Sequence, residues 1–155
     1  MIKFFKSFKY ALRGILYTII NERNMRVHLV VATYVLIFAS FFSLSPQSLG
    51  ILVLTISAVI ALEMVNTAIE RVCNIYTTSY HPMIKVAKDV AAGAVLVAAI
   101  GAVAVGVIIF WQPNTIIGIF SYLWANPPAL AALILSLALS VLFIIFGGKW
   151  FTPKK

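Results

Sequence analysis

Apolar residues follow two patterns along this 155-residue chain. Over residues 3–20 they recur at helical spacing: Phe4, Phe5, Phe8, Leu12, Ile15, Leu16 and Ile19 share one side, and Lys6, Lys9, Tyr10, Arg13 and Tyr17 the other. An apolar face opposite a basic face predicts a helix lying in a membrane interface. A secretory signal peptide competes for this segment, but the unbroken apolar run is short and no small-x-small cleavage site follows. Asn21, Glu22, Arg23 and Asn24 break the pattern in a polar turn. Beyond it the apolar residues run almost continuously. Runs over 27–44, 49–70, 87–111 and about 129–147 predict four membrane-spanning helices. The first is somewhat short for a hydrocarbon core of ~30 Å. In the turn Ser45-Pro46-Gln47-Ser48, Ser45 reads as an N-cap and Pro46 as the first helical residue. Residues 71–86 read as a polar loop. A softer segment over 112–128 opens on Gln112, Pro113 and Asn114 and closes on Asn126, Pro127 and Pro128.

Composition agrees with this pattern. The chain is 63% hydrophobic and 10% charged, far too little charge for a soluble domain of this size. It reads as an all-α polytopic membrane protein. The single cysteine, Cys73, excludes an intramolecular disulfide and a cysteine-based zinc site. The net charge of +8 is explained by topology rather than by nucleic-acid binding, since the basic residues form no patch with interleaved aromatics. Lys3, Lys6, Lys9, Arg13, Arg23 and Arg26 precede the first span. Arg71, Lys85 and Lys88 lie in the loop after the second span and the start of the third, and Lys149, Lys154 and Lys155 end the chain. All 12 basic residues therefore fall on one side of a four-span arrangement, and the positive-inside rule makes that side cytoplasmic, with both termini there. Ala87, Ala91, Ala94, Ala98, Ala102 and Gly106 form a small-residue ladder in the third span. Small residues let helix backbones approach closely in lipid.

The chain has only 4 acidic residues: Glu22, Glu63, Glu70 and Asp89. Two stand in or at the end of the second span, where a carboxylate costs a few kcal/mol or more and points to function. Glu63, Asn66 and Glu70 occupy positions i, i+3 and i+7, one face of a helix. Seven residues at ~1.5 Å each put one carboxylate about 10 Å deeper than the other. Lys88 and Asp89 open the third span, and Glu22 follows the interfacial helix. Carboxylates of this kind suit magnesium, which binds one or two of them together with substrate phosphates. A neighbouring lysine suits a phosphate, and a deep carboxylate can take a proton from an alcohol held in the membrane. Such parts are those of phosphoryl transfer from a nucleotide to a lipid hydroxyl. Neither G-x-x-x-x-G-K-[ST] nor a strand-borne G-x-G-x-x-G occurs, which excludes a general-purpose kinase fold.

The run Glu63-Met64-Val65-Asn66-Thr67-Ala68-Ile69-Glu70 resembles the signature of the prokaryotic diacylglycerol kinase family, small integral membrane lipid kinases. The likeness continues through Tyr80-His81-Pro82 and Ala87-Lys88-Asp89-Val90-Ala91-Ala92-Gly93-Ala94-Val95. Upstream, Phe4-Phe5-Lys6-Ser7-Phe8, Arg13-Gly14 and Asn21-Glu22-Arg23-Asn24 also fit, so it covers about residues 3–111. His-Pro after the second span and the Glu-Arg-Asn turn are similar to the Gram-positive-type branch, whose members act as undecaprenol kinases. The resemblance implies a kinase domain over 1–111 and a C-terminal extension over 112–155 that the minimal three-span family lacks. It implies a bacterial cytoplasmic membrane protein that uses ATP with Mg2+ on a membrane lipid alcohol. Undecaprenol is the expected substrate, with diacylglycerol, giving phosphatidic acid, as the alternative. By position, Glu63 would be the general base, supported by Asn66, and Glu22 and Glu70 would hold the metal. Lys88 and Asp89 would contact the nucleotide, Ser79, Tyr80 and His81 would lie along it, and Tyr10 would meet it from the interfacial helix. Family members are trimers with sites between subunits, which implies a homotrimer here.

One departure lies in the motif region: the family usually has aspartate four residues after the second motif glutamate, and Asn74 stands there. Structural readings compete for single residues. Glu70 could pair with Arg71, Glu63 could be an internal acid bonded to Asn66, His81 could cap a loop, Tyr10 could be an interfacial anchor, and His28 reads as packing. Two other functions compete for the whole chain. One is a small proton-coupled exporter with Glu63 as proton carrier, which would leave the polar cluster at one membrane face without a use. The other is a catalytically dead relative acting as a membrane partner, which Asn74 keeps open.

Overall fold

The computed structural model describes residues 2–76 and 81–151. Among them every element is helical: α1 (Ile2–Asn21), α2 (Arg23–Ala39), α3 (Pro46–Tyr76), α4 (Pro82–Phe110), α5 (Pro113–Ala125) and α6 (Pro127–Phe151). The interfacial helix is α1. The polar turn expected after it shrinks to one residue. Glu22 is extended (φ −110°, ψ 121°), and α2 begins directly after it. The Glu22 amide still donates to the Thr18 carbonyl (2.9 Å). The buried Thr18 hydroxyl turns back onto the carbonyls of Gly14 and Ile15. Glu22 is thereby fixed at the corner where two helices meet.

The first expected span, 27–44, forms as a helix that starts earlier and stops sooner. At 17 residues α2 is about 25 Å long. Its end tightens through i→i+3 bonds at Ser40, Phe41 and Phe42. Phe42 then packs on Phe38 and Phe110, with ring centroids 4.8 and 5.0 Å apart, tying the ends of α2 and α4 together. Ser45 caps α3 as expected, its Oγ accepting from the Ser48 amide at 3.1 Å. The segment read as a loop over 71–86 is largely helix. α3 runs to Tyr76 and α4 starts at Pro82, so both outrun the expected spans at that end. Segments Pro46–Ile75, Pro82–Phe110 and Pro127–Lys149 are long and apolar enough to cross a bilayer. The softer segment after α4 also contains a helix, α5, each of its two boundaries set by a proline at the first helical position of α5 or α6.

The polarity of the fold is inverted relative to a water-soluble protein. Large apolar side chains such as Leu54 (71% exposed) and Ile108 (77%) face outward, which is stable only where the surroundings are hydrocarbon. The interior holds Thr18, Arg26, Glu63, Asn66 and Thr67 beside Met25, Ala32, Leu52, Val59, Ala91 and Val95. α3 and α4 form the most extensive helix pair. Of the small-residue ladder, Ala91 is buried, whereas Ala87 and Ala94 point outward, so only part of it serves packing within this chain. α6 lies along α2: the Tyr34 hydroxyl donates to Ser136 Oγ (3.0 Å) and sits 3.1 Å from Ser140 Oγ.

Candidate active site

Glu63 lies midway along α3 and is 2% exposed. Asn66 and Thr67 are buried on the same face. Thr67 Oγ1 donates to the Glu63 carbonyl (3.0 Å), a local bond that leaves the carboxylate out of account. Glu63 Oε2 and Asn66 Oδ1 have no hydrogen-bond partner. Buried polar atoms are normally paired, so two orphaned acceptors one turn apart are a site awaiting a donor. The reading of Glu63 as an internal acid held by Asn66 finds no support in these two atoms.

Both side chains line a cavity of about 230 Å³ between α2, α3 and α4, closed by Asn24 and His28 on one side and by Ala92 and Ala99 on another. His28 and Ala99 also line a second cavity of about 330 Å³, which continues along α2, α3 and α4 between Val31, Ile56, Val103 and Phe110 and is almost wholly apolar. The buried carboxylate therefore faces the polar end of a two-part cleft. Sequence reasoning missed Asn24 and assigned His28 to packing. Their i, i+4 spacing, which puts both on one face of α2, is the signal that marks them.

At the outer end of α3, Arg71 Nη2 donates to Glu22 Oε1 at 2.7 Å. Its guanidinium also lies over the Tyr17 ring, 5.4 Å from the centroid. Arg71 thus pairs with Glu22, and this bond draws the α1–α2 corner against α3 beside half-buried Glu70. A second bond joins α3 to α4: Lys88 Nζ donates to Asn74 Oδ1 at 2.6 Å. The unusual Asn74 is therefore the partner of the lysine expected to meet phosphate. Asp89 is exposed and 3.9 Å from Lys85, an i, i+4 pair. His81 is exposed at the N-cap position of α4 but makes no side-chain cap bond. Tyr10 is 62% exposed on α1, and 12 residues of helix at ~1.5 Å each set it about 18 Å from Glu22. Within one chain it stands apart from the other candidates. Ser79 and Tyr80 lie outside the described residues.

Among the described residues no three His, Cys, Asp or Glu side chains converge into a metal cage. Glu22 and Glu70 are two carboxylates at the same end of the bundle, and a hard cation held there would take most of its ligands from phosphate and water, with Glu22 Oε1 released from Arg71.

The family model for prokaryotic diacylglycerol kinase matches residues 9–110, which contain every candidate residue above. The chain is 44% identical to an undecaprenol kinase of Bacillus subtilis over 108 residues, 70% of this chain and 88% of that protein. It is 45% identical to a diacylglycerol kinase of Synechocystis over 101 residues, 64% of this chain and 58% of that longer protein. To the diacylglycerol kinase of Escherichia coli it is 29% identical over 107 residues, 69% of this chain and 88% of that protein. The match stops where α4 ends, so α5 and α6 lie outside it. This integral membrane chain belongs to the prokaryotic diacylglycerol kinase family of phosphotransferases.

Proposed function

We propose that this chain transfers the γ-phosphate of ATP to the hydroxyl of undecaprenol, giving undecaprenyl phosphate. The observation that carries the reading is the buried Glu63 carboxylate, with an unpartnered oxygen, in a cavity that shares His28 and Ala99 with a second, almost wholly apolar one. The lipid chain would occupy the apolar part and bring its hydroxyl to Glu63. Glu63 would accept the hydroxyl proton as the alcohol oxygen bonds to the γ-phosphorus, and the bond to the β-bridging oxygen would break to release ADP. Asn66, one turn away, would donate its amide N–H to hold the hydroxyl or the carboxylate in line. Lys88 would neutralise phosphate charge, with Asp89 and His81 at the nucleotide's edge and Ser79 and Tyr80 beside it. Glu22 and Glu70 would hold Mg2+, which would supply positive charge to offset that developing on the phosphates. Tyr10 would reach a nucleotide only across a subunit boundary, so its role would need an oligomer, for which a homotrimer is the proposal.

Residues 1–111 would form the kinase unit and 112–155 an appended one. Both termini would be cytoplasmic, with α2 and the turn after it completing the first crossing, because the basic residues then share one side. Diacylglycerol is the second reading, supported by the 45% identity to the Synechocystis protein. The test is transfer of labelled phosphate from ATP by purified protein in mixed micelles, offering undecaprenol and diacylglycerol separately, with and without Mg2+. Faster, Mg2+-dependent product from undecaprenol supports the reading, and faster product from diacylglycerol transfers it to the second lipid. No product from either lipid in folded protein brings the exporter and dead-relative readings forward.

A further inference from the structure

Arg26 is 6% exposed and its guanidinium bonds run to backbone carbonyls. Nη1 donates to Ile19 O and Ile20 O, each at 2.9 Å, and Nε donates to Ile144 O at 3.1 Å. The first two carbonyls belong to the last turn of α1, where the helix's own donors have run out. The third belongs to α6, 118 residues away in sequence. Glycine lets α6 come this close. A Cβ on Gly148 would stand 2.5 Å from Ile20 O, and one on Gly147 3.0 Å from Arg26 Cδ. The first clash is with backbone and cannot be relieved by turning a side chain. Three helices thus meet at one guanidinium, and the residue between the first two is Glu22.

We infer that α6 is a brace for the metal-binding corner: Arg26, seated by Gly147 and Gly148, fixes the end of α1 so that Glu22 is presented beside Glu70. The inference rests on the reading of Glu22 as a metal ligand. Arg26 acts through Glu22 and is a positioning residue. Two further bonds, one donated by the Tyr34 hydroxyl to Ser136 and one between that hydroxyl and Ser140, hold the same helix deeper in the bundle, so the brace is anchored away from the site it steadies. Arginine is specific for this role, because its planar fork reaches several acceptors at once where lysine offers a single point charge.

The test uses the full chain with Gly148→Val and, separately, Arg26→Lys. Mn2+ binding is followed by electron paramagnetic resonance in the presence of a non-hydrolysable ATP analogue, and amide hydrogen exchange is read over residues 20–26. Both variants should weaken Mn2+ binding about 10-fold or more, as loss of outer-shell support does in metal sites, and should accelerate exchange at the corner. The lipid KM should stay near the wild-type value, a split that a general loss of packing would not produce. Wild-type Mn2+ binding and wild-type exchange in both variants would overturn the brace and leave α6 a membrane anchor. If Gly148→Val does not fold, Arg26→Lys alone decides, since it leaves α6 sterically unaltered. A wild-type protein without kinase activity would sink the proposed function, whereas the exchange measurement judges the brace separately.

Discussion

Glu63→Gln should abolish turnover while making the protein more stable. The wild-type carboxylate is 2% exposed, has an oxygen without a partner and lies one turn from the orphaned Asn66 Oδ1. Glutamine keeps the shape, removes the charge and adds an N–H donor where two acceptors lack one. Removing an acid from mid-span relieves up to about 2.5–3.5 kcal/mol on the insertion scale, and a new hydrogen bond to a buried acceptor adds about 1 kcal/mol. Local water in the cleft offsets part of the first term, so a net gain of about 1–3 kcal/mol is expected, or about 2–12 °C in Tm for a chain of this size. Against this, a general base contributes about 10²–10⁴ in rate, equivalent to roughly 3–5.5 kcal/mol of barrier. The glutamine cannot take the proton. The assay pairs initial rates of phosphate transfer with thermal unfolding in the same micelles. A fall in kcat of less than about tenfold would refute the base role. A lowered Tm would refute the claim that the carboxylate is held at the expense of stability.

Three further outcomes test other parts of the site. Asn74→Asp would turn the 2.6 Å bond to Lys88 into an ion pair. It should stabilise by at most about 1 kcal/mol at this exposed position and raise the KM for ATP, because the lysine's charge is then compensated; a lowered KM would show that the carboxylate serves the metal instead. Ala99→Leu, at the residue shared by both cavities, should raise the KM for lipid while leaving that for ATP unchanged, measured in the same micelle assay. Tyr34→Phe removes the hydroxyl that meets Ser136 and Ser140. It should cost about 0.6 kcal/mol, the usual size of an interhelical bond in membranes, read as a small fall in Tm.

The helical class and the long apolar helices were legible because hydrophobic runs in a membrane are long and few, whereas α5 lies in a segment that read only as a softer connection. Their ends were less so. The run through Phe41 and Phe42 continues past the point where α2 stops, because the helix ends by tightening at Ser40, a single small polar residue inside an apolar run. α3 and α4 extend through residues that read as polar loop, since a helix projecting past the bilayer carries the same polar residues as a loop. The acidic residues stood out by rarity, and the Glu63–Asn66–Glu70 face followed from spacing alone. Arg26 did not stand out. It counted as one basic residue among several on the positive side, and nothing local in the sequence connects it to Gly148. Likewise the Arg71–Glu22 pair joins residues 49 apart, while the nearer pairing with Glu70 was the one sequence offered.

The depth of the acids along α3 bears on how so small a fold can join a water-soluble phosphate donor to a lipid. Glu70 and Glu22 stand at the helix end, where a hydrated cation and its nucleotide can arrive without being stripped of water. Glu63 stands about 10 Å deeper, near the level a lipid hydroxyl reaches when its chain stays in hydrocarbon. In the proposed reaction one helix would fix the offset between the two substrates, within a bundle whose buried face carries Glu63, Asn66 and Thr67 and whose outer face is apolar. A buried carboxylate whose Oε2 has no hydrogen-bond partner is poor structural material, and in the proposed reaction it would suit a base that takes up a proton on arrival of the alcohol. That asymmetry argues against the exporter reading: a proton carrier needs access to both membrane faces in turn. Here the polar cavity at Glu63 is bounded by Asn24 and His28 on the side of the Glu22 corner, and away from that corner it gives onto an apolar channel ending at Phe110.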